Sequence, residues 1–322
     1  MMSKKPIIVV AGEPFSVFFE LFFKAKKIKK FKNPIILIGS EKLLKAHMIK
    51  LNFKFKINLI NKNILNLKKI NNEVINLINV NFKFKKTFDK ISDKSNKYIS
   101  SQFKIALKIL KNNECSGLIN GPISKKNFLK KKFSGITEYL SNKTYKKNPV
   151  SMLIYNKKLS VSPITTHLPL KDVVNKITKK KIIFQIKLIN KFYKMKFNKN
   201  PRIAVTGLNP HCESNYWSSE EERIINPSIL YLKKKKIIVK GPFPADTIFM
   251  KDQSKNFDVI VGMYHDQVLT PMKTLFNFNA INITLGLPYL RISPDHGPNH
   301  SMLGKNLSNP KSLIEALKFL DK

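Results

Sequence analysis

Short apolar runs alternate with longer amphipathic ones along most of this chain, and that alternation narrows the possible folds more than any other feature. Residues 6–11 and 34–38 read as strands flanking a helix over 15–27, and further apolar runs recur at 116–121, 159–165, 202–206 and 257–264. Strands separated by helical stretches imply an α/β architecture with a parallel sheet. Helix signals punctuate the pattern. A helix is expected over 100–112, and another opens at LPLKDV. Ser218 and Ser219 each precede a glutamate, Glu221 and Glu222, by the three residues of a capping box. Asn309 and Pro310 supply an N-cap and first position for a closing helix that ends near Leu320. Residues 52–95, rich in Asn, Lys, Ile and Phe, carry too weak a period to separate strands from loops.

Length and charge bound the rest. A chain of 322 residues is long enough for two lobes of roughly 150 residues around a cleft. The net charge of +40 would ordinarily point to nucleic acid or an anionic membrane. Here the lysines are spread through nearly every segment, without zinc-finger spacing, RNP-type aromatics or an arginine-rich tract, so no specific nucleic-acid partner is expected. The lysine and isoleucine excess is the composition of an AT-rich genome. Two cysteines, Cys115 and Cys212, cannot build a disulfide framework, which fits a reducing cytoplasm. The first apolar run is broken by Gly12, Glu13 and Pro14, unlike a signal peptide, and no stretch approaches the ~20 apolar residues of a membrane span.

Chemistry concentrates after the apolar runs. His167, His211 and His265 each stand just past one, and parallel strands would bring all three to one sheet edge, where α/β proteins bind ligands. Three imidazoles with an open position suit a divalent metal that polarises an oxygen, while a single histidine after a strand is more often structural. Lys273, Asn282 and Arg291 follow His265 closely. Arg occurs only at 202, 223 and 291, which makes Arg291 a candidate for bidentate grip on phosphate or carboxylate. Cys212, beside His211, is a minor alternative ligand. His47 reads as inert on a surface helix, and the pair His296 and His300 carries no assignment. Neither a GxGxxG after the first strand nor a GxxxxGK[ST] occurs, so the residues alone point to no nucleotide.

The segments INGPISK, ITTHLPLKDV, GLNPHCES, GPFPADTIF, MYHDQVLTPMK, NITLGLP and SPDHG occur in the order and spacing of the 4-hydroxythreonine-4-phosphate dehydrogenases. From about residue 115 onward the chain resembles that family. Before it, GEPFSVFFE takes the place of the family's GDPxGIGPE loop. The resemblance implies two α/β/α lobes around a cleft, like those of isocitrate and isopropylmalate dehydrogenases. The first lobe would comprise 1–125 with about 295–322, and the second, carrying the dimer interface, 126–294.

It further implies a homodimer with a shared site. There His167, His211 and His265 would bind zinc, magnesium or cobalt, and Thr137, Lys273, Asn282 and Arg291 would hold the phosphorylated substrate. NAD or NADP would accept a hydride from the substrate's C3 hydroxyl, and the resulting β-keto acid would lose CO2. Asp246 and Asp266 are candidates for the general base, or for carboxylates orienting a histidine. The sequence departs from the family pattern at Ile136, where Gly-His-Thr is usual, and at Ser16, Val17 and Phe18 in the first loop. Ile136 keeps open a dehydrogenase for another phosphorylated hydroxy acid, such as threonate or erythronate phosphate, and a catalytically decayed relic.

Overall fold

The apolar runs that open the chain become the inner strands of a parallel sheet, buried on both faces, as their near-continuous Ile/Val/Leu composition requires. A computed structural model describes residues 5–61, 70–112, 114–130, 132–133, 135–144, 149–212, 217–277, 279–294 and 297–321. His296 lies outside the described residues, as does Asp295 of the same SPDHG segment. The chain forms two compact units, residues 1–147 with 287–322, and residues 148–286.

The first unit contains strands β1 (Ile7–Val10), β2 (Ile35–Gly39), β3 (Ile57–Leu59), β4 (Ile75–Asn79), β5 (Gly117–Asn120) and, from the end of the chain, β12 (Arg291–Pro294). They pair in parallel in the order β3-β4-β2-β1-β5-β12. Helices α1 (Phe18–Ile28), α2 (Glu41–Lys50), α3 (Asn96–Leu110), α4 (Ile136–Lys143) and α10 (Lys311–Leu320) belong to this unit. Side chains alternate along a strand, so each face has its own partners. Ile8, Val10, Ile36, Ile38 and Leu118 pack with Tyr98, Ile99, Phe103 and Ala106 of α3 in one buried cluster. Elsewhere α10 lies on β5 and β12 and is backed by α1. The helix starts at Lys311 with Pro310 as its N-cap, one residue later than the sequence suggests, and Asn309 Oδ1 accepts from the Lys311 amide at 2.9 Å in the turn that leads into it.

The second unit contains β6 (Ser151–Tyr155), β7 (Ser160–Pro163), β8 (Ile203–Thr206), β9 (Val239–Phe243), β10 (Val259–Gly262) and β11 (Ile281–Leu285). Its order is β11-β6-β7-β10-β8-β9; β6 is antiparallel to both neighbours, while β7, β10, β8 and β9 run parallel. The helices here are α5 (Leu170–Val173), α6 (Lys179–Phe197), α7 (Asn226–Lys234), α8 (Lys251–Ser254) and α9 (His265–Phe276). Val161, Ala204 and Ile260 pack with Val268 and Met272 of α9. Two buried serines of β7 are satisfied from α6: Gln185 Nε2 donates to Ser162 Oγ at 2.7 Å, and the Tyr193 hydroxyl donates to Ser160 Oγ at 2.9 Å. These bonds remove the cost of burying hydroxyls and fix how α6 sits on the sheet.

Within the weakly patterned 52–95 stretch, β3 and β4 add to the sheet edge, and Phe53 and Phe55 close over Phe23 with ring centroids 5.2 and 5.9 Å away. His47 departs from the surface reading. It is 1% exposed, wedged between Phe19 and Phe88 with ring centroids 5.1 and 4.9 Å away. The α2 stripe that carries it, Leu43, Leu44, His47 and Met48, faces inward, so the imidazole occupies a core position.

Two buried groups give stability opposite dependences on pH. Burial pulls the His47 pKa down to about 4. The unfolded chain therefore takes up this proton first, and stability falls as pH drops from about 6.5 towards 4, by about 2 kcal/mol between pH 7 and 5. His47→Leu should flatten that slope in urea titrations at the two pH values. Glu13, 2% exposed in the loop after β1, has its carboxyl pushed up to about 7 by burial. Its raised folded value means stability is complete below the unfolded value near 4.5 and is lost as pH rises through about 7. Glu13→Gln should therefore be more stable than wild type at pH 8, by up to about 3 kcal/mol, with the advantage vanishing near pH 4.

Candidate active site

Three adjacent parallel strands of the second unit, β7, β10 and β8, end on the same edge. His167 follows β7 by four residues, His265 follows β10 by three and His211 follows β8 by five. This is the edge at which the sequence pattern places all three. The His167 and His265 rings face each other with centroids 5.6 Å apart. Asp266 Oδ1 lies 2.6 Å from His265 Nδ1. A carboxylate accepts only, so Nδ1 carries the proton, and in the neutral ring Nε2 keeps the lone pair that a metal ion needs. In donor chemistry the pair suits a divalent ion of the zinc class. His211 lies in an exposed turn with φ +55°, and among the described residues it does not join the other two in a three-ligand group. Cys212 adjoins it and likewise enters no such group.

The three loops are tied at their roots. Thr165 extends the β7–β10 pairing, its amide and hydroxyl both donating to Met263 O at 3.1 and 2.8 Å. Gln267, on the first turn of α9, joins β10 to β8. Its Oε1 accepts from the Met263 amide at 2.6 Å and the Thr206 hydroxyl at 2.8 Å, and its Nε2 donates to Gly207 O at 2.8 Å. Glu221 holds the segment leading to His211. Its carboxylate accepts from the Leu208 and Asn209 amides at 2.7 and 2.9 Å and from Asn209 Nδ2 at 2.7 Å. The capping box thus forms differently from its expected geometry: Ser219 Oγ accepts from the Glu222 amide, while Glu221 turns to the neighbouring loop. Gly207 is required where these meet, since a Cβ there would stand 2.5 Å from Cys212 Sγ and 2.9 Å from Glu221 Oε1.

Asp246 and Asp266 line one cavity of about 580 Å3 with Phe249, Tyr264, Gln267 and Thr270. Lys273 lies two turns beyond His265 on α9, half-buried, and that burial lowers its pKa. Asn282 sits on β11, its Oδ1 buried with no hydrogen-bond partner among the described residues. In the first unit, Arg291 on β12 is 1% exposed; its Nε donates to Asn120 Oδ1 at 2.8 Å and its Nη1 to Thr137 Oγ1 at 3.3 Å. Burial pulls its pKa down to about 10, opposed by the nearby Tyr289 and Glu138, so it stays cationic at neutral pH. Thr137 and Arg291 are thus brought together in one unit, while Lys273 and Asn282 belong to the other. Ile136, at the first turn of α4, is partly buried against the hydrophobic cluster of the first unit.

Sequence reasoning passed over Thr165, Gln267 and Asn120, and read Glu221 only as part of a capping box. Two of them carried a signal: Gln267 stands at the third position of α9, where a Gln side chain can reach back to a preceding amide, and Asn120 is the polar end of an apolar strand.

The family model for pyridoxal phosphate biosynthetic protein PdxA matches residues 30–320. A 4-hydroxythreonine-4-phosphate dehydrogenase of Sulfurihydrogenibium sp. is 37% identical over 97% of this chain and 96% of its own length. A relative in Oceanobacillus iheyensis, 30% identical over 98% of this chain and 97% of its own, carries the provisional name D-threonate 4-phosphate dehydrogenase. Among solved structures, the 4-hydroxythreonine-4-phosphate dehydrogenase of Klebsiella pneumoniae superposes with a TM-score of 0.85 at 25% identity, covering 98% of each chain.

Glu221 supplies a test of how the His211 loop is held. Although burial opposes ionisation, hydrogen bonds from Asn209 and Leu208 hold its carboxyl below the usual range. A depressed folded pKa stabilises above the unfolded value and is lost as pH falls through the folded one. Glu221→Gln should therefore lower stability at pH 7 by about 1.5–3 kcal/mol, with the gap to wild type closing on acidification. Thermal melts at both pH values measure it.

Proposed function

Because the chain belongs to the pyridoxal phosphate biosynthetic protein PdxA family, we propose that it oxidises 4-phosphooxy-L-threonine at C3 with NAD or NADP, in pyridoxine 5'-phosphate formation. The product, 2-amino-3-oxo-4-phosphooxybutanoate, loses CO2 to give 3-amino-2-oxopropyl phosphate. The observation that carries the reading is the His167–His265 pair at the shared edge of β7 and β10, with Asp266 fixing the tautomer of His265.

A bound divalent ion, zinc, magnesium or cobalt, would supply Lewis acidity towards the C3 oxygen, and the nicotinamide would accept the hydride. His167, His211 and His265 are the residues that would hold the ion. Arg291 and Thr137 would grip the phosphate, and Lys273 and Asn282 of the other unit are further substrate-binding candidates; the buried Arg291 guanidinium is pre-oriented by Asn120 and loses little freedom on binding. The two aspartates divide their roles. Asp266 is committed to His265, and Asp246, exposed in the same cavity, is the base that takes the hydroxyl proton. We read the assembly as a cytoplasmic homodimer in which a second copy completes the site around the exposed His167 and His211. Among the described residues no helix is long and apolar enough to cross a membrane.

One observation favours a second substrate. Ile136 places a hydrocarbon beside Thr137, and the Oceanobacillus relative is named for a phosphorylated hydroxy acid without the amino group. The test is NADH formation from 4-phosphooxy-L-threonine and from D-threonate 4-phosphate with Zn, Mg or Co supplied. Metal-dependent turnover of the first substrate is expected, lost by at least about a hundredfold in His211→Ala, with Arg291→Lys raising KM about tenfold. Turnover of the threonate ester alone would replace the substrate. No turnover in folded wild type, restored by Ile136→His, would mean that this position had disabled the site.

A further inference from the structure

We infer that Gln267 is a positioning residue that sets the spacing of the metal-ligand loops, binding the exits of β10 and β8 into one unit. The inference rests on the metal role proposed for the histidines. Gln267 is 9% exposed, and its amide makes three hydrogen bonds of 2.6–2.8 Å, to Met263, Thr206 and Gly207. Met263 stands two residues before His265, and Gly207 stands four before His211. A single rigid side chain therefore spans the roots of both loops. It also ties the first turn of α9, on which His265 is the first residue, to the exit of β10, because the amide it accepts is that of Met263, just before the helix.

The chemistry of the bonds demands an amide at this position. Oε1 takes two donors, and Nε2 gives to a carbonyl. A carboxylate could keep the two accepted bonds but would place negative charge against Gly207 O, and a thioether of the same length keeps none of the three. The neighbouring backbone is fitted to it, because a Cβ on Gly262 would lie 2.9 Å from Gln267 Oε1. Thr165 ties β7 to the carbonyl of Met263, the residue whose amide Gln267 accepts, so the His167 and His265 loops share a second anchor. Gln267 is the link that brings the β8 exit into register with them.

Zinc affinity of the full-length protein, measured by competition with a chromophoric chelator, and the visible spectrum of the cobalt-loaded form test this without relying on turnover. Gln267→Met should weaken zinc binding about tenfold to a hundredfold and alter the cobalt spectrum. Gln267→Glu should recover part of the loss. His265→Ala and Ile189→Ala are the controls, the latter destabilising the same unit from the buried face of α6. If His265→Ala abolishes zinc binding while Gln267→Met binds as wild type, the positioning role is wrong and the metal reading stands. Equal loss in Ile189→Ala would also overturn it, as a general effect of destabilisation. Unchanged affinity in both His265→Ala and Gln267→Met would remove the metal reading, and this inference with it.

Discussion

The candidate site depends on one arrangement: the parallel pairing of β7 with β10 and of β10 with β8. In parallel neighbours all carboxyl ends share an edge, so residues far apart in sequence emerge side by side. His167 and His265, almost a hundred residues apart, reach a ring separation of 5.6 Å for this reason. Register makes the edge even. Gly262 stands opposite Pro163 and Val261 opposite Val205, so the three loops leave the sheet at nearly the same height.

Backbone pairing alone does not hold loops beyond the last strand residue, and there side chains take over. Thr165, Gln267 and Glu221 each bond backbone groups just past a strand end: Thr165 adds its hydroxyl to the last ladder bond, and Gln267 and Glu221 take amides beyond the ladder. In each case the bonding group is a polar side chain buried or nearly so, which keeps water from competing for the same backbone groups. The first unit uses the same device on a smaller scale. Asn120, at the end of β5, accepts from Arg291 on the adjacent strand β12, so a guanidinium survives in a buried position with its direction fixed. The physical requirement is common to both: a charged or ligating group must be oriented before anything binds, or the binding energy goes into ordering it.

Much of this was legible in sequence, for identifiable reasons. Strands such as 117–120, 203–206 and 259–262 announced themselves because burial on both faces demands unbroken apolar runs, and the histidines stood out by following them. Less visible was the 52–95 stretch, where β3 is a three-residue edge strand, half-exposed, whose period cannot be distinguished from chance. His47 was misread because α2 carries lysines on the opposite face, and a histidine at an inward position looks like any other polar residue on an amphipathic helix. The positioning residues escaped for a different reason. Many of the partners of Thr165, Gln267 and Glu221 are backbone atoms, which leave no mark on the residue types at the other end of the bond.

Ile136 illustrates the limit of carrying a pattern across. The family pattern has a histidine there, whereas in the fold Ile136 is partly buried and packs against the hydrophobic cluster of the first unit. Its neighbour Thr137 still reaches Arg291. Loss of the imidazole at 136 therefore removes one polar group without dismantling the Asn120–Arg291–Thr137 chain, because that chain runs through β5, β12 and α4 and none of its bonds passes through residue 136. The Asn120–Arg291–Thr137 chain lies within the first unit, and the bonds of Thr165, Gln267 and Glu221 that tie the roots of the His167, His265 and His211 loops lie within the second.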